Sequence, residues 1–133
     1  MDEPLFLSMT EAIALHDVQL AAFGGLAGLR DLGLLESVLA MPQMGFGDQY
    51  VHADIEEMAA AYLFHLVKNR PFVDGNKRVG FHAVYVFLAL NGIVLDMPED
   101  AAYDLVIATS EGRATKAEIA AAFRNGVRSL TDD

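Results

Sequence analysis

Within residues 68–78 the chain concentrates Lys68, Arg70, Lys77 and Arg78, four of its nine Lys and Arg residues, around the turn sequence Asp74-Gly75-Asn76. Pro71 disfavours helical geometry at the residue before it, so a helix is expected to end near Asn69 or Arg70. Asp74-Gly75 is turn chemistry, and Gly75 tolerates a positive φ or the close approach of a ligand. A second helix then starts with Asn76 as its expected N-cap. Its first free N–H groups and the macrodipole add partial positive charge to that of Lys77 and Arg78. Glycine turn, helix start and two cations together make an anion site suited to phosphate. Asp74 adds a hard oxygen able to hold Mg²⁺ against those phosphates, and Phe72 is expected to anchor the loop in the core. The alternative is an ordinary helix–turn–helix corner in which Asp74 and Asn76 cap while Lys77 and Arg78 are solvated. Spacing alone leaves both readings open. The loop is neither a Walker A sequence nor a Rossmann fingerprint, since G-x-x-x-x-G-K-[ST] and G-x-G-x-x-G are both absent.

Two helices must position this loop. In Asp54–Asn69, Ile55, Met58, Ala59, Tyr62, Leu63 and Leu66 recur at helical spacing and make one apolar stripe, with Glu56 and Glu57 outside it. In Asn76–Asn91 the apolar residues run nearly all round, as expected of a helix at the centre of a bundle. Further helix starts are marked by Ser8-x-x-Glu11, Asp54-x-x-Glu57, Asp96-x-x-Glu99 and Thr115-x-x-Glu118, all of capping-box form or its Asp-led relative. Pro98 suits a first helical turn. Gly24-Gly25, Gly92, Gly112 and Gly126 follow periodic segments and are candidate left-handed stops. Ile93–Asp96 is at most a short extended piece. The expected fold is all-α, a compact bundle of about six helices with a central apolar helix after the loop.

Bulk properties narrow the partners. The chain has 133 residues, 53% of them hydrophobic, and carries a net charge of −10 with no Cys. Such a charge disfavours direct nucleic-acid binding, which depends on Lys and Arg neutralising phosphates. No apolar run is long enough to cross a membrane. The acidic start, Met1-Asp2-Glu3-Pro4, is the reverse of a secretory signal. Without cysteine there are no disulfides or thiolate metal sites, which fits a reducing compartment. A cytoplasmic location is expected.

The stretch Arg70–Arg78 resembles the signature of the Fic/Doc family, H-x-F-x-[D/E/N]-[G/A]-N, followed by G-R in Fic proteins and by K-R in Doc. The Lys77-Arg78 ending places the resemblance on the Doc, or death-on-curing, side. Ile13–Asp17, Gly24–Asp31, Gly33–Ser37, Ala60–Leu63 and Phe87–Gly92 are also similar to Doc proteins. The resemblance covers about residues 5–125 and implies a single Fic/Doc domain over residues 1–133. It implies that Asp74 binds the Mg²⁺ that bridges the phosphates of ATP. Gly75 and Asn76 cradle those phosphates, the Asn76 side chain included, and Lys77 and Arg78 neutralise them during transfer.

The family motif opens with a general-base His, and here that position is Arg70. Guanidinium stays protonated and offers no lone pair, so it does not serve as a base. Of the other histidines, His65 lies inside the preceding helix, His82 in the following one, His52 in a loop and His16 in the first helix. All four are read as structural.

The function implied is that of a toxin in a toxin–antitoxin system. It transfers the γ-phosphate of ATP to a hydroxyl of a protein target such as elongation factor Tu, and translation stops. Arg70 leaves this chain catalytically crippled in that reading. The alternatives are Fic-type AMP transfer, against which Lys77 argues, and a non-catalytic nucleotide- or antitoxin-binding module. The antitoxin implied has a C-terminal segment that folds as a helix into a groove of the toxin. The acidic stretch from Asp96 to Asp104 is read first as a solvated face rather than a docking site.

Overall fold

The structure is a computed structural model that describes residues 3–131. Six α-helices carry the described residues: α1 (Met9–Phe23), α2 (Leu32–Ala40), α3 (Ile55–Asn69), α4 (Asn76–Leu90), α5 (Glu99–Ser110) and α6 (Lys116–Asn125). The strands are minor. β1 (Gly45–Phe46) and β2 (Gln49–Tyr50) form one hairpin, and β3 (Ile93–Leu95) pairs antiparallel with β4 (Val127–Ser129), Val94 opposite Arg128. The all-α bundle expected from the sequence is the architecture observed. No helix among the described residues is long and apolar enough to cross a membrane.

Three of the four helix starts read from the sequence hold. Ser8 and Glu11 close a full capping box on α1, as do Thr115 and Glu118 on α6. Asp54 accepts the Glu57 N–H at 2.8 Å, but the Glu57 carboxylate takes the N–H of Ala53 rather than that of Asp54. The fourth start is a correction. Asp96 caps nothing: its N–H donates to the Gly126 carbonyl at 2.6 Å and its carboxylate faces Arg128 at 3.5 Å. The β3–β4 pairing holds Asp96 in the extended chain, so α5 starts after Pro98 without a side-chain cap. Gly126 is a second correction, since its φ of −115 is not left-handed; Gly24, Gly92 and Gly112 do take positive φ.

Helices α3 and α4 share the centre. α3 packs against α2, α4, α5 and α6, and α4 against α1, α3, α5 and β3. The predicted stripe on α3 is buried from Met58 onward, but so are Ala60, Ala61 and Val67, which widens the stripe to most of the helix. These small side chains let neighbouring helices approach on several sides. At Gly80 of α4 an added Cβ would stand 3.0 Å from Val67 Cγ2, so the two central helices meet backbone to side chain. Tyr62, wholly buried, keeps its hydroxyl satisfied by accepting the Leu7 N–H at 2.9 Å.

Candidate active site

The loop between α3 and α4 sits at one end of this central pair. Arg70 follows α3 at φ 51, ψ 60, and is the one non-glycine residue at positive φ among those described. Pro71 denies α3 any continuation, and the chain turns through the left-handed region instead. The segment between α1 and α2 then straps the loop down. Arg30 donates from its side chain to the carbonyls of Asn69 and Arg70 at 2.6 and 2.7 Å. The N–H groups of Arg30 and Asp31 donate to the Pro71 carbonyl, Val73 N–H donates to the Gly28 carbonyl, and Leu29 pairs with Phe72 as an isolated antiparallel bridge.

Phe72 is 1% exposed and stacks on His16, with ring centroids 3.9 Å apart and planes 9° from parallel. The expectation that Asn76 is the N-cap of α4 is corrected: Gly75 takes that place at φ 76, and Asn76 lies one residue inside the helix, buried. The Asn76 amide accepts the Phe72 N–H at 3.0 Å and donates to the Phe72 carbonyl at 2.9 Å. Both ends of that side chain are thus engaged by the loop backbone, one N–H and one lone pair in use, which fixes the amide at the start of α4.

Asp74 is held by two backbone donors, Leu26 N–H at 3.1 Å and Gly75 N–H at 2.9 Å. These hydrogen bonds, the one from Leu26 first, hold its carboxyl below the usual carboxylate range, and Arg78 adds to the effect. Gly25 leaves room for this: a Cβ there would lie 2.8 Å from Asp74 Oδ2.

A cleft of about 340 Å³ opens over the start of α4, lined by Val67, Ser110 and the loop residues Arg70 and Asp74 through Arg78. Arg70 and Lys77 have no side-chain hydrogen bond or ion pair among the described residues. Arg78 lies 5.5 Å over the Phe23 ring and makes only a long 3.4 Å hydrogen bond to the Gly24 carbonyl. Lys68, the fourth member of the basic cluster, is not in the cleft; its ammonium lies beside Gly112 at the α5–α6 turn. Three cations therefore face one cavity beside the free N–H groups of a helix N-terminus, and that arrangement attracts a polyanion.

No histidine lines the cleft among the described residues. His16 is 2% exposed and its Nε2 lies 2.7 Å from the Asp74 carbonyl. His65 faces Lys116 Nζ at 3.2 Å, and burial, with Lys116 adding to it, pushes its pKa down to about 4. His52 is likewise lowered by burial, and His82 lies against Tyr85 on α4. Sequence reasoning did not place Ser110 or Val67 in the site, nor Arg30 beneath it, because nothing local in their spacing marks contacts made across the fold.

A second, more apolar groove of about 650 Å³ adjoins the first and shares Lys77 and Arg78 with it; Phe23, Phe81, Tyr85 and Tyr103 are among its walls.

Comparison with known proteins gives the family of the chain. The pattern described as the Fic/DOC family matches residues 6–88, which include the whole of the loop. The chain is 33% identical over 119 residues to the protein kinase doc of Escherichia phage P1, covering 89% of this chain and 92% of that protein. It is 40% identical over 103 residues to toxin Doc of Mycolicibacterium smegmatis, covering 74% of this chain and 79% of the relative. With the motif, the helical frame and both relatives in agreement, the chain belongs to the Fic/Doc family, in its Doc branch.

Proposed function

We propose that this protein is a Doc-type toxin whose cleft binds the phosphates of ATP, and whose phosphoryl transfer to a protein hydroxyl is crippled at Arg70. The observation that carries the reading is the make-up of the cleft. Arg70, Lys77 and Arg78 converge on a helix N-terminus, while no histidine lines it among the described residues. Its one carboxylate among the described residues, Asp74, is held below the usual range.

Asp74 also suits Mg²⁺. It is an ionised hard oxygen beside the proposed phosphates, and no cluster of three or more His, Cys, Asp or Glu exists among the described residues to hold a metal without them. A bound Mg²⁺ supplies charge neutralisation on the phosphate oxygens. Lys77, Arg78 and the free N–H groups at the start of α4 hold and neutralise those oxygens in turn. Transfer joins the target hydroxyl oxygen to the γ-phosphorus and breaks its bond to the β-phosphate oxygen, and the hydroxyl proton must go to a base. Arg70 carries donors only, and the lowered Asp74 is a poor acceptor. The proton therefore has no good destination, and the missing assistance is worth about 10²–10⁴-fold in rate.

The proposed target is elongation factor Tu. The proposed restraint is an antitoxin with a C-terminal helical segment; the apolar groove that shares Lys77 and Arg78 with the cleft supports it, since a helix seated there lies against the cradle. Arg70 also favours a second reading, a module that binds nucleotide or antitoxin without turnover. Incubating the Arg70→His variant with ATP and elongation factor Tu separates the possibilities by intact mass. A gain of one phosphate supports the kinase reading, and a gain of one AMP supports Fic-type transfer. An unmodified target, with ATP still bound, supports the non-catalytic module.

A further inference from the structure

His16 lies in α1, outside the motif and outside the cleft lining, yet it touches the loop twice. Its ring stacks on Phe72, and its Nε2 lies 2.7 Å from the carbonyl oxygen of Asp74. A carbonyl only accepts, so Nε2 carries the proton of this hydrogen bond. At 2% exposure and with Nε2 so engaged, His16 does not replace the missing base.

The peptide it holds joins Asp74 to Gly75. A trans peptide points its C=O and N–H in opposite directions, and there are no cis bonds among the described residues. With the carbonyl turned to His16, the Gly75 N–H is turned the other way, onto Asp74 Oδ1 at 2.9 Å. Gly75 has no Cβ to resist rotation of this peptide and sits at φ 76. A flip would exchange the two groups, setting a carbonyl oxygen against the Asp74 carboxylate at the edge of a cavity lined by Arg70, Lys77 and Arg78. It would also free the Asp74 carboxylate from one of its two donors.

We propose that His16 is a positioning residue for the phosphate cradle, holding the Asp74–Gly75 peptide in the orientation that keeps its N–H on the Asp74 carboxylate and its carbonyl oxygen out of the anion site. The role in binding rests on the phosphate-site reading above; the hold on the peptide does not.

Two measurements test it. In the protein as it stands, proton–nitrogen NMR of the imidazole is expected to show Nε2 protonated at neutral pH; a bare Nε2 overturns the proposal and requires no variant. His16→Phe keeps a ring against Phe72 but loses the donor, whereas His16→Gln returns an N–H near the same place. ATP with Mg²⁺ is expected to bind His16→Phe roughly five- to tenfold more weakly, the worth of one ordinary hydrogen bond. His16→Gln is expected to bind within about twofold of the parent, and the Gly75 amide resonance should move in the first variant and return in the second. Unchanged affinity with an unmoved Gly75 amide in His16→Phe overturns the proposal. If the parent fails to bind ATP while that amide still moves and returns, the phosphate-site reading falls and the hold of His16 on the peptide stands.

Discussion

Arg30 reaches from the α1–α2 segment to the end of α3, where its guanidinium donates to the carbonyls of Asn69 at 2.6 Å and Arg70 at 2.7 Å. Helix C-termini leave carbonyls without intrahelical partners, and a cation there also complements the macrodipole. Arg30 thus closes α3 and fixes the backbone at Arg70. Arg30→Ala is expected to lower stability by about 1–2 kcal/mol, less than for a buried charged hydrogen bond because the pair is exposed. Chemical denaturation reads this as a fall in the midpoint. An unchanged midpoint would show that the strap does not depend on Arg30.

Arg70 occupies the left-handed region without being glycine. Relieving that cost, Arg70→Gly is expected to stabilise the fold by about 1 kcal/mol. The same change removes one of three cations from the cleft, so the affinity for ATP should fall as the melting temperature rises. Opposite movement of the two readouts is the signature; a parallel loss would mean that the Arg70 side chain supports the loop.

Asn76 is buried and clamps both polar groups of the Phe72 backbone. Asn76→Ala leaves a buried N–H and a buried C=O unpaired, and is expected to cost about 1–3 kcal/mol for each group that water does not reach. Thermal unfolding measures it. A near-neutral outcome would mean that the loop repacks with water at the start of α4.

His65 sets a pH dependence. Its folded pKa is pushed down to about 4, below the ordinary value of 6.5, first by burial and then by Lys116. Between those two values the unfolded chain binds the proton more readily than the native one, so stability falls as pH drops from about 6.5 and levels off below about 4. A His65→Gln variant is expected to show a shallower slope across that window in urea midpoints. An identical slope would place the titration elsewhere, with His52 the first alternative because its pKa is also lowered.

Local signals made most of the frame legible. Capping boxes at Ser8–Glu11 and Thr115–Glu118 and the stripe from Met58 to Leu66 are sequence-near interactions, and they recur in the structure. The strap and the β3–β4 pair are contacts between distant segments, and they account for what was missed. Asp96 reads as a cap but is held extended by pairing with the chain near Gly126. Asn76 reads as an N-cap, yet its amide finds Phe72 on the loop behind it. Lys68 and Arg70 are near neighbours in sequence, but Lys68 remains on α3 whereas Arg70 has already turned left-handed, which sends only the latter into the cleft. Ser110 enters the site from α5, forty residues beyond Arg70, with no spacing to mark it.

In the proposed reading the phosphate cradle is intact and the base is gone. Its most direct test compares this chain with Arg70→His, measuring the affinity for ATP·Mg²⁺ and the rate of phosphate transfer to elongation factor Tu. Both proteins are expected to bind ATP, the variant no tighter, while the transfer rate of the variant rises by about 10²–10⁴-fold. Equal transfer rates in the two proteins would contradict it.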